Sequence, residues 1–183
     1  MLESLNLVQM VQGVVLYPGL ASFFPLALFS FINEILAFFP YALVLAGQLL
    51  FLRGPFDIAL TAKLLVYVGV PVGLGGSLGA LPLYALAYFG GKPTINKFKK
   101  YLRFSWDDVE RINQRFKGEW YDEAVFLLLR SIPLVPAFPV SIAGGILRMR
   151  FLPFFVLTTV GFIIKVMITL LIVGMGVHGL SQL

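Results

Sequence analysis

The sequence predicts an all-α polytopic membrane protein, an inverted repeat of a re-entrant helical hairpin plus a transmembrane helix, joined by an interfacial amphipathic helix. Three observations lead there. The 183 residues are 59% hydrophobic and only 13% charged, against about 25% charged in soluble domains. The charge is also concentrated, with 8 of the 14 Lys and Arg and 6 of the 9 Asp and Glu lying in residues 92–123. On both sides of that polar segment a proline-broken apolar stretch precedes a long apolar one. Soluble globular and disordered classes are excluded.

Residues 4–33 carry no charge but are interrupted by Gly13, Pro18, Gly19 and Pro25. They read as a tilted span, residues 1–29, with an interfacial helix and half-span as the alternative. The N-terminus lacks the basic region of a cleaved signal peptide. A first hairpin is expected at 31–52, an uncharged run after Glu34 with Pro40 near its middle, because a central proline removes a donor and bends the helix. A first span follows at 64–91, where Gly75 and Gly79 have the small-xxx-small spacing that lets helix backbones approach in lipid. Together these make repeat 1, residues 30–91.

Residues 92–123 are the linker. Ser105 and Asp108 have capping-box spacing, and Trp106, Val109, Ile112 and Phe116 form one apolar stripe. Such a helix lies in the membrane interface with its basic groups among headgroups, so no nucleic-acid partner is expected. Repeat 2, residues 124–177, opens with a hairpin at 124–147. Pro133, Pro136 and Pro139 forbid a continuous helix there, and irregular backbone at membrane depth survives only where protein or water satisfies it. Gly144 and Gly145 follow as expected gating positions, and a span runs over 151–177. A re-entrant segment returns to its own side while a span crosses, so the halves have opposite orientations. Arg148, Arg150 and the linker then share a side that carries most of the basic residues, against Arg53 and Lys63 in the opposite loop at 53–63. The positive-inside rule places the linker in the cytoplasm.

Three charges stand alone in apolar surroundings: Glu34, Arg130 and Lys165. Each would cost about 2.5–3.5 kcal/mol at the bilayer centre, so such residues face a cavity or a partner. A planar guanidinium suits bidentate binding of phosphate, and a carboxylate beside it suits proton or cation coupling. Enzymatic chemistry is not expected. The chain has no Cys and one His, and outside the linker its acids are Glu3, Glu34 and Asp57. No metal and no cofactor are expected.

The chain resembles the DedA / VTT-domain superfamily, the SNARE-associated Golgi protein group, over residues 31–176. The firmest element is Phe126-Leu-Leu-Leu-Arg130-Ser-Ile-Pro133-Leu-Val-Pro136 ahead of Ala143-Gly144. Its Arg-x-x-Pro-x-x-Pro pattern is similar to the VTT branch, Pro136 standing where bacterial DedA members have a second Arg. Gly75-x-x-x-Gly79 with Tyr84 and Gly91 resembles the glycine-rich span, though Ala80 replaces its usual acid. Glu34 with Pro40 resembles the first hairpin, where Ala42 stands about where a second acid would fall. The resemblance implies lipid movement between leaflets, of undecaprenyl phosphate in bacterial DedA members and of phospholipid in VTT members. The missing acid and Arg favour the scramblase-like end. The three isolated charges Arg130, Lys165 and Glu34 are the expected substrate site; the resemblance implies phosphate-bearing membrane lipids as partners and coupling to protons or cations, with homo-oligomer formation left open. The alternatives are a coupled small-solute or ion transporter, and a structural module recruiting partners through its linker.

Overall fold

Apolar runs separated by proline and glycine give short and long helices in alternation. The computed structural model of the chain describes residues 19–36, 58–102 and 120–180, and among these there are no strands. Helix α1 spans Leu20–Leu36. Helix α2, Ile58–Leu64, passes through a π turn at Leu65–Gly69 into α3, Val70–Leu102. Then come α4, Trp120–Ser131, α5, Ala137–Ile146, and α6, Phe151–Leu180. Pro40 and most of the expected first hairpin and linker helix lie outside the described residues.

Helix α1 starts just after Pro18-Gly19, where Ser22 and Gly19 exchange hydrogen bonds: Gly19 N donates to Ser22 Oγ at 3.1 Å and Ser22 Oγ to Gly19 O at 2.7 Å. It then runs unbroken through residues 29–31, where the sequence reading divided an N-terminal span from a hairpin. No helix breaker stands at that boundary. The expected loop at 53–63 is likewise helical from Ile58 onward. Residues 58–91 form a helix of 34 residues, about 51 Å at 1.5 Å per residue and ample to cross a bilayer. Pro71 does not break it. A proline ring crowds the carbonyl four residues earlier, and the π turn widens the ladder just ahead of it, Val70 N bonding Leu65 O. The bend comes instead at Gly91, whose φ of 51° favours a residue without Cβ.

Side-chain contacts fix the directions. Ala27 lies on Gly75 and Phe31 on Gly79, so α1 runs parallel to α3. Phe126 meets Phe154 and Arg130 meets Gly161, so α4 runs parallel to α6. Gly73 faces Ile163, Ser77 Oγ and Thr159 Oγ1 share a 2.7 Å hydrogen bond, and Tyr84 stacks on Phe154 at 4.2 Å. Long helices α3 and α6 are therefore antiparallel. Within the second half α4 and α5 fold back on each other, Phe126 reaching Gly144 and Arg130 reaching Ser141. The α5–α6 turn is held by Tyr84, whose hydroxyl donates to Met149 O at 2.6 Å.

Polarity is distributed inside out. Large apolar side chains point outward, on α1 at Leu20, Phe24, Leu28, Ile32 and Leu36. The opposite face of α1 buries Ser22, Ser30, Asn33 and Glu34. Lys and Glu are almost never buried in soluble proteins unless paired, whereas a body bathed in hydrocarbon turns its charges inward.

Candidate functional site

The sequence singled out three isolated charges, and the fold brings them to one place. Glu34 lies two residues from the end of α1, and Arg130 one residue from the end of α4. Glu34 Cβ packs on Gly79 of α3, and the Arg130 stem packs on Gly161 of α6. Each charge thus rests on a glycine of the long helix parallel to its own, and the heads meet between the halves. Arg130 Nη2 donates to Glu34 Oε1 at 3.0 Å. Arg130 is 1% exposed and Glu34 2%.

Ser141 on α5 completes the pair. Its hydroxyl accepts from Arg130 Nη1 at 2.9 Å and donates to Glu34 Oε1 at 2.7 Å. Nη1 also donates to Ala137 O at 2.6 Å, and the guanidinium carbon lies 4.4 Å from the centre of the Phe162 ring, a cation–π distance. Lys165, 8% exposed, reaches the segment between α4 and α5, where Nζ donates to Val135 O at 2.6 Å. It is within electrostatic reach of Arg130 and Glu34. One anion among two cations leaves the cluster with net positive charge. Buried ion pairs are costly unless their remaining groups are hydrogen-bonded; here Ser141 and the Ala137 carbonyl take up Nη1, and Ser141 also donates to Glu34 Oε1.

The expected structural positions also find places. Gly75 and Gly79 bring α1 against α3. Pro133 lies in the break between α4 and α5, and Pro136 at its end has extended backbone (ψ 135°) before α5 begins. Tyr84 ties α3 to the α5–α6 turn. Gly144 and Gly145 are contact points: Gly144 lies under the Phe154 and Phe126 rings, and Gly145 against the Tyr84 carbonyl and Ala87. Sequence reasoning missed Ser141, although it is the one polar side chain between Ile132 and Leu147. It also missed the Phe162 ring and the two carbonyls that hold the cations.

A family model described as the VTT domain matches residues 41–175. The chain is 33% identical over 90 residues to undecaprenyl phosphate transporter A of Bacillus subtilis (strain 168), an alignment covering 49% of this chain and 44% of that protein. The match thus spans less than half the relative's length. No solved structure matches the chain.

Proposed function

From the premise that this chain belongs to the VTT domain family, the DedA family, we propose that it moves phosphate-bearing lipids between bilayer leaflets, with Arg130 as the phosphate-binding group. The observation that carries the reading is the Arg130–Glu34 pair, buried where two oppositely directed halves meet, inside a body with an apolar exterior. The antiparallel α3 and α6, and the matched seating of Glu34 on Gly79 and Arg130 on Gly161, support an inverted repeat. Helices α4 and α5, of 12 and 10 residues, are each about 15–18 Å long, too short to span. That supports re-entry of residues 124–147. The B. subtilis relative carries a name specifying a polyprenyl phosphate, and the Arg130 fork suits any such headgroup.

In this mechanism Glu34 occupies Arg130 while the site is empty. A lipid phosphate takes its place, and the headgroup passes between the halves while its tails stay in hydrocarbon. Lys165 supplies the second positive charge. The experiment is reconstitution of the purified chain in vesicles, following lipid movement between leaflets and release of a trapped small solute in parallel. Lipid movement without solute release is expected. Solute release without lipid movement would make the chain a solute transporter, and neither would leave a structural module.

The proposed topology puts residues 92–123 in the cytoplasm beside Arg148 and Arg150. The natural chain has no Cys, so single cysteines at Lys100 and Arg150 should label from the same side with an impermeant thiol reagent. Labelling from opposite sides would mean that residues 124–147 cross the membrane, and the inverted repeat would fall.

A further inference from the structure

The segment Ile132–Pro136 makes few bonds of its own. Pro133 and Pro136 have no N–H to give. Among the described residues its backbone bonds outside the helices are Ile132 N to Leu128 O and Val135 N to Ile132 O, both at 3.2 Å. Two cations from different helices hold it in place. Lys165 of α6 grips Val135 O at 2.6 Å, and Arg130 of α4 grips Ala137 O at 2.6 Å, on either side of Pro136. The other face of the segment points away from the body, with Leu134 92% exposed and Ile132 also exposed.

Lys165 is the more telling of the two. An ammonium group has three N–H donors, yet among the described residues Lys165 makes one hydrogen bond, to a neutral carbonyl. The carboxylate at the site, Glu34, bonds Arg130 and Ser141 instead. Both carbonyl bonds already have a charged donor, but a phosphate adds the Coulomb attraction of a full negative charge, which a neutral carbonyl lacks. A phosphate therefore competes with Val135 O for Lys165 and with Ala137 O for Arg130. With both grips lost, the segment keeps two backbone bonds of 3.2 Å and the packing of Val135 against the cluster of Tyr84, Phe126 and Phe154.

We propose that Lys165 is a second anion-binding residue of this site, and that residues 132–136 are a lid which a phosphate-bearing amphiphile displaces by taking over both cations. Leu134 then lies where the amphiphile's chain arrives, and the two cations lie directly behind it. The inference rests on the lipid-transport reading for its substrate class, but the lid movement is measured without any transport.

The test uses the full chain in nanodiscs, with spin labels on Leu134→Cys and Leu152→Cys, both exposed in the native chain. The distance between labels is read with dodecyl phosphate, inorganic phosphate or dodecylphosphocholine. Dodecyl phosphate should shift the distribution by several ångströms, dodecylphosphocholine less, and inorganic phosphate least. Lys165→Met, which loses one of the two grips, should show part of the shift with no ligand and a smaller further response, while Lys165→Arg restores the native distribution and its response. An unchanged distribution with dodecyl phosphate overturns the proposal, as does a Lys165→Met distribution matching the native one. A response to inorganic phosphate alone overturns the amphiphile as ligand. A lid that moves in a protein that moves no lipid defeats the transport reading and leaves the lid standing. A static lid in a protein that does move lipid defeats the lid alone.

Discussion

Gly75→Ala is expected to unfold or mispack the chain, whereas Gly69→Ala in the same long apolar helix is expected to be tolerated. A Cβ at Gly75 would run into the backbone of Ala27, its carbonyl oxygen foremost. Backbone cannot swing aside as a side chain can, so α1 must lift from α3 and carry Glu34 away from Arg130. Overpacking costs about 1–3 kcal/mol where side chains can adjust, and more where they cannot. At Gly69 the nearest atoms are the Ile163 and Leu65 side chains, both at 3.6 Å, ordinary contact. Thermal unfolding of the detergent-solubilised variants checks this. Equal melting temperatures would mean that α1 does not pack on α3 as described.

Arg130→Ala has the second large effect, and it acts on stability and activity together. Removing one partner of a buried pair strands the other, a loss of about 3–5 kcal/mol. Among the described residues Glu34 would be left with the hydrogen bond from Ser141. Replacing both members relieves this, so Glu34→Gln/Arg130→Met should recover much of the stability and none of the lipid transfer. Arg130→Lys should recover part of the transfer, because a point charge lacks the guanidinium fork. A double variant as unstable as Arg130→Ala would show that the loss is one of packing at Gly161 rather than of an unpaired charge.

How much of this was legible in the sequence depended on the kind of signal. A charge in an apolar run is conspicuous, and Glu34, Arg130 and Lys165 were found that way. That Glu34 and Arg130 bond each other was not legible, since they are 96 positions apart and no local pattern links them. The proline break after Arg130 was plain, because a missing N–H leaves a mark on the sequence. The carbonyls of Val135 and Ala137 left none, because every residue has a carbonyl. The sequence reading divided helix α1 at residue 30, taking Pro18-Gly19 as an interruption within a span and Pro40 as the bend of a hairpin, whereas α1 begins just after Gly19 and runs on to Leu36. Pro71 was passed over without harm, since a single π turn absorbs it. Gly144 and Gly145 were expected as gating positions; that aromatic rings and the backbone of α3 lie against them was not legible in the sequence.

The central claim, that Arg130 carries a lipid phosphate between leaflets, is tested most directly by one time course. Vesicles holding matched amounts of wild-type or Arg130→Ala protein, and vesicles with none, receive a fluorescent phospholipid in both leaflets. A membrane-impermeant quencher is then added outside. Wild-type protein should let quenching proceed past the outer-leaflet half, while Arg130→Ala stops where the protein-free vesicles stop. Equal quenching by wild type and Arg130→Ala, or none beyond the protein-free level by wild type, would contradict the account.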